Sequence, residues 1–242
     1  MFPTPKVSVV VSTYARIEPF SKLITSIRAA FPKECVEIIA VSSDHPYSPK
    51  GQWMRSQPDV IVIQADIRTS QRLRSIYAYE NIGLRASTGE WVFMTNDDTA
   101  FDADFYTELC KVENNYDVIV VSGHIGDVRL GCRIAAIGTI KPPGGQVRPL
   151  YLYDFTIIRK SVYDKIGPID EKMDWFGKGF DLAMACETYP GLRIGCVPDL
   201  KINHDISDEN RFPPDYRTDF SYLTRKWKDW CDRTGWEFSW EW

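Results

Sequence analysis

Val7 to Ser12 (VSVVVS) is a run of mainly β-branched residues with almost no polar alternation, and this pattern constrains the fold more than any other feature of the chain. A strand with one face in water alternates polar and apolar residues, whereas a continuous apolar run marks a strand covered on both faces, the situation of a parallel sheet between helices. The residues that follow agree. Pro19 opens a predicted helix in which Phe20, Leu23, Ile24, Ile27 and Phe31 recur at helical spacing, Pro32 closes it, and Val36 to Val41 (VEIIAV) reads as a second strand. The stretch from Ser42 to Gln57, rich in Ser, Pro, Gly and Asp, is predicted as a loop. Val60 to Gln64 is a third strand, about Arg72 to Ala86 a helix stopped at Thr88-Gly89, and Trp91 to Thr95 a fourth strand running into Asn96-Asp97-Asp98. This alternation predicts a doubly wound α/β sheet, whose ligands sit beyond the carboxyl ends of the strands. The acidic trio lies at such an end.

Asp117 to Ser122 is a further strand, and Val128 to Pro149 carries turn residues that suggest hairpins or a mobile loop. Order is expected again over Leu152 to Arg159, a short helix over Leu182 to Glu187 and a strand over Arg193 to Val197. The tail from Asp219 holds five of the eight tryptophans, and Phe220, Leu223, Trp227 and Trp230 share one helical face. The favoured expectation is a helix packed back on the domain, ahead of acceptor binding or peripheral membrane contact. A single domain over 1–242 is expected, with a nucleotide-sugar half at 1–98, an acceptor half at 99–205 and a helical tail at 206–242. A net charge of −4 argues against a nucleic-acid partner. No stretch reaches the roughly 20 apolar residues of a membrane span, which with the absence of a leader pattern suggests a cytoplasmic protein. The six cysteines are scattered without zinc-ligand spacing and are expected to be reduced.

Asn96-Asp97-Asp98 places two carboxylates and an amide oxygen on one turn, an oxygen-rich arrangement suited to Mg²⁺ or Mn²⁺. The surrounding segment NIGLRASTGEWVFMTNDDT resembles the stretch before and through the Asp-x-Asp motif of family 2 glycosyltransferases. VSVVVSTYAR is similar to that family's first strand and nucleotide-binding loop, Thr156 to Leu182 to its acceptor-side block, and VPDLKINH to its closing strand and metal-binding His. The resemblance covers roughly residues 6 to 205. It implies a GT-A fold, a Rossmann-like, mixed but mostly parallel sheet flanked by helices. It also implies inverting transfer from a nucleotide-diphosphate sugar, with UDP-sugar favoured, assisted by Mn²⁺ or Mg²⁺, to a glycan, lipid-linked or protein acceptor.

On that resemblance Asp98 and His204 are metal ligands and Asp97 and Asn96 lie beside the sugar or metal. Thr13, Tyr14 and Arg16 line the nucleoside pocket, Ser43 and Asp44 stand near the place where the family reads the base, and Asn81 belongs to the donor-side turn. Arg72, Arg74 and Arg85 have the chemistry to meet a diphosphate, although a solvated helix face is their plainer reading. The transfer needs a carboxylate to take the acceptor's proton. The family's acidic pair aligns here with Lys178 and Gly179, so the base is Asp181, or Asp174 or another carboxylate; the plainer reading of Asp181 is a helix N-cap. A nucleotidyltransferase is a rival, as is a non-catalytic sugar-nucleotide or glycan-binding module. STYARIEPF lacks the glycine-rich phosphate loop of the first.

Overall fold

The computed structural model describes residues 6–13, 17–65, 75–125, 128–130, 136–140, 148–151, 155–173, 177–204 and 216–235. Strand β1 (Val7–Thr13) is buried at every position and lies between β2 (Val36–Ser42) and β4 (Trp91–Asn96), parallel to both; β3 (Val60–Gln64) continues the parallel set beyond β2. Burial of the whole of β1 requires cover on both faces. Helix α1 (Ile17–Ala30) supplies it on one, through the fully buried Phe20, Leu23, Ile24 and Ile27, each contributing about 1.5–3 kcal/mol on leaving water. Helix α3 (Ile76–Ala86) covers the other, packing with Val10, Ile39 and Val92. Gly83 permits that approach, because a Cβ there would lie 2.2 Å from Cγ1 of Val10.

Beyond β4 the sheet becomes mixed. β10 (Thr156–Arg159) runs antiparallel to both β4 and β6 (Val118–Ile125), β11 (Ile194–His204) is parallel to β6, and β5 (Thr99–Phe101) closes the edge antiparallel to β11. The path is β3-β2-β1-β4-β10-β6-β11-β5, with β7 (Val128–Leu130) paired to β6 off it. β8 (Ala136–Ile140) and β9 (Arg148–Tyr151) form a separate antiparallel pair, so the turn-rich segment contains the expected hairpin geometry.

Three helices lie where sequence reasoning placed none. α2 (Pro49–Arg55) interrupts the predicted loop after β2, capped by Ser48, whose hydroxyl accepts from the Gly51 N–H. α4 (Phe105–Val112) follows β5, and α5 (Lys160–Ile166) follows β10. α6 (Lys178–Glu187) begins four residues earlier than the predicted short helix. The tail packs back as two helices, α7 (Tyr216–Lys226) and α8 (Lys228–Thr234), burying Leu223 and Trp230 in the core; Trp236, Trp240 and Trp242 lie outside the described residues. Gly177, in a left-handed conformation at φ 99°, is needed there, since a Cβ would sit 2.3 Å from Leu223 Cδ1. Cys35, Cys110, Cys186 and Cys231 are free, but Cys196 is disulfide-bonded, which corrects the expectation that all the thiols are reduced. Among the described residues no helix is long and apolar enough to cross a membrane.

Candidate functional site

The strand register sets the site. Thr13 pairs with Ser42 and Ser12 with Asn96, so the carboxyl ends of β2, β1 and β4 finish level, and whatever follows each strand is delivered to one place. The turn after β4 is fixed by hydroxyls. Thr95 and Thr99 share a hydrogen bond of 2.7 Å, and the Thr99 hydroxyl donates to the Asn96 carbonyl at 3.0 Å. Those bonds hold Asp97 and Asp98 in a tight, mostly buried turn, while Asn96 is half-buried.

The two carboxylates face opposite flanks of β4. Asp97 Oδ2 accepts from the Thr13 hydroxyl at 2.9 Å and lies 3.9 Å from Lys50 Nζ, on the β1 and β2 side. Asp98 Oδ1 lies 3.3 Å from His204 Nε2 on the β11 side. The sheet register explains the second contact: His204 is the ladder partner of Thr99, the residue after Asp98. Phe155 packs edge-on to the His204 ring at 5.1 Å and orients it.

Asp44 stands two residues beyond β2. Its Oδ2 accepts from the Ser42 hydroxyl at 2.8 Å and pairs with Lys50 Nζ at 3.1 Å, and its backbone carbonyl accepts from Gln64 Nε2 at 2.5 Å. Ser43, between them, is half-buried. Thr13, Asp44, Asp97 and Lys50 thus form one connected group at the strand ends, and Asp98 with His204 forms a second beside it. Lys50 escaped sequence reasoning because a lysine in a Ser/Pro/Gly-rich stretch reads as solvated. The available signal was the Ser-Pro-Lys-Gly string, an N-cap followed by proline that starts a helix.

Asn81 lies in the middle of α3. Its Nδ2 donates to the Ile169 carbonyl at 2.7 Å and to Glu171 Oε1 at 3.0 Å, and its Oδ1 accepts from the Ile169 N–H at 3.0 Å. It anchors the segment leading to α6. Asp181 sits in the first turn of α6, where the N-cap is Gly177 and not Asp181. Asp181 Oδ1 accepts from the Trp227 indole N–H at 2.7 Å and pairs with Lys226 Nζ at 2.7 Å. Lys226 also reaches Asp170 Oδ2 at 2.9 Å, which accepts from the Tyr222 hydroxyl at 2.6 Å. Burial would push the Asp170 carboxyl upward, but Tyr222, the Lys172 N–H and Lys226 outweigh it and hold the carboxyl below its usual value. Lys178, at the place of the family's acidic pair, forms a 2.8 Å ion pair with Glu80 of α3. Tyr14, Arg16, Arg72, Arg74 and Asp174 lie outside the described residues, and Arg85 is exposed.

The carboxyl ends of the parallel strands meeting an acidic turn, followed by a mixed half-sheet flanked by helices, define a GT-A fold. Among solved structures, the chain is similar to S. aureus TarS, with a TM-score of 0.70 and 16% identity over 96% of this chain and 40% of that one. It is likewise similar to S. aureus TarS 1-349 in complex with UDP-GlcNAc, with a TM-score of 0.67 and 16% identity over 96% of this chain and 68% of the other. GalNAc-T7 with UDP, GalNAc and Mn²⁺ gives 0.68 and 13% over 94% of this chain and 49% of that one. The chain spans about 60% of the first TarS structure it matches. No protein-family profile and no curated protein sequence matches it.

Proposed function

We propose that the chain is a family 2 glycosyltransferase that moves a sugar from a nucleotide-diphosphate donor, UDP-sugar favoured, to an acceptor hydroxyl with inversion. The observation that carries this reading is the delivery of Thr13, Asp44 and Asp97 to one level sheet end, next to Asp98 facing His204. TarS and GalNAc-T7, which share the fold, were solved with UDP-GlcNAc and with UDP, respectively.

In this reading Asp44 and Asp97 meet the nucleoside, because carboxylates accept from imide N–H and ribose hydroxyl groups, and Thr13, whose hydroxyl donates to Asp97, lines the same pocket. Tyr14 and Arg16 follow Thr13 in the chain and complete that loop. Asn96, Ser43 and Asn81 serve position: Asn96 through its carbonyl in the Thr-pinned turn, Ser43 as the link between β2 and Asp44, Asn81 through the segment before α6. Asp98 and His204 would hold the divalent ion, Mn²⁺ or Mg²⁺, with the Asp98 carboxylate as the oxygen ligand that both metals prefer. Such an ion, when bound, supplies positive charge to the leaving diphosphate. Asp181 takes the acceptor's proton; its Oδ1 is held by Lys226 and Trp227, and Oδ2 is the oxygen assigned to the proton. The acceptor is a hydroxyl of a glycan, a lipid-linked sugar or a protein.

Calorimetric titration of UDP in Mn²⁺, comparing the native chain with Asp98→Ala, tests the reading. Binding by the native chain that the variant weakens by about threefold to tenfold supports it. Equal binding by both removes Asp98 from the site.

A further inference from the structure

Lys50 is the one residue in the candidate site whose presence neither the sequence nor the proposed reaction explains. Lysines usually extend their ammonium group into water, yet the Lys50 side chain is 4% exposed and its Nζ is buried. It lies between two carboxylates from different strands, Asp44 Oδ2 at 3.1 Å and Asp97 Oδ2 at 3.9 Å. A buried charge is tolerated only when paired, and the buried Asp97 with the half-buried Asp44 beside it needs a cation as much as the ammonium needs them.

The local fold exists to put it there. Ser48 caps α2 and Pro49 occupies its first turn, so Lys50 leaves the helix start at a fixed angle. Gly51 lets that turn press on the preceding loop, since a Cβ would meet the His45 carbonyl oxygen at 2.4 Å. Thr13 adds its hydroxyl to the same oxygen of Asp97 that Lys50 approaches. Asp97 is thereby turned toward β1 and β2, while Asp98, its chain neighbour, faces His204.

We propose that Lys50 is a built-in cation of the donor site: it points Asp44 and Asp97 at the nucleoside and withdraws Asp97 from the metal's ligands, leaving Asp98 and His204 to the ion. The inference rests on the nucleotide-sugar reading. Its consequence is a division of labour in which the nucleoside half of the site is charge-balanced by the protein itself and only the diphosphate half depends on a divalent ion. Nucleotide binding is then modestly, not absolutely, metal-dependent.

The experiment is titration of UDP into the full chain in Mn²⁺ and in EDTA, together with titration of Mn²⁺ alone, for the native protein, Lys50→Met and Lys50→Gln. The native chain is expected to lose no more than about tenfold in UDP affinity on removal of Mn²⁺. Each variant is expected to lose about tenfold or more of UDP affinity in EDTA, while binding Mn²⁺ at least as tightly as the native chain, because Asp97 is released to the ion. A native chain that binds UDP in Mn²⁺ but not in EDTA overturns the proposal, and this measurement stands even if neither variant folds. Variants that bind UDP in EDTA as the native chain does overturn it as well. A native chain that binds no UDP in either condition instead removes the nucleotide reading beneath it.

Discussion

Lys178→Met is expected to destabilise the fold by about 3 kcal/mol, the lower end of the cost of breaking a buried ion pair by removing one partner. Lys178 Nζ lies 2.8 Å from Glu80 Oε1, with side chains 11% and 1% exposed, so solvent barely screens the pair. Methionine keeps most of the packing of the stem but leaves the Glu80 carboxylate buried without its cation. The lower figure is chosen because Glu80 has further contacts and the Lys178 backbone N–H still reaches the Tyr77 hydroxyl at 3.4 Å. For a chain of this size about 3 kcal/mol corresponds to a fall of roughly 6–12 °C in Tm. The assay is urea unfolding with a parallel thermal melt, on Lys178→Met, Glu80→Gln and the double variant. Removing both charges is expected to recover all but about 1 kcal/mol, since the penalty lies in the orphaned partner. A single variant within about 0.5 kcal/mol of the native chain, or a double variant as unstable as the sum of the singles, refutes the reasoning.

Gly83→Ala is expected to cost about 1–3 kcal/mol by overpacking, because the added methyl meets a buried Val10 side chain on the central strand; urea unfolding checks it. Because the folded-state pKa of Asp170 is depressed, the stability it contributes is present above its unfolded value near 4 and is lost as pH falls through the lower folded value. The docking of α7 is therefore expected to loosen below about pH 4, seen as a change in tryptophan fluorescence, and Asp170→Asn should flatten that pH dependence. Asp181→Asn is expected to abolish sugar transfer while leaving UDP affinity within about twofold of native, as measured by titration.

Much of the parallel half of the sheet was legible in the sequence, because a strand covered on both faces is largely apolar. Val7–Thr13, Val36–Ser42 and Trp91–Asn96 therefore declared themselves, and with them the level sheet end that carries the acidic turn. The short elements were not legible. α2 has only seven residues, three of them Pro, Lys and Gly, and β5 has three, so neither supplies a periodicity to read. Long-range pairings were equally hidden: nothing in the spacing of Lys226, Trp227 and Asp181 shows that the tail ends on the candidate base, and nothing around Asn81 shows its bonds to Ile169 and Glu171. Lys50 combines both difficulties, a short helix and partners from two distant strands.

In the proposed function the level sheet end with its acidic turn performs sugar transfer from a nucleotide donor. That transfer is tested most directly by measuring UDP released from a panel of UDP-sugars in Mn²⁺, with and without candidate acceptors, for the native chain, Asp98→Ala and Asp181→Asn. The account predicts release from one donor by the native chain, stimulation by an acceptor, and loss in both variants. Release that persists unchanged in both variants, or none from any UDP-sugar by a native chain that binds UDP, contradicts it.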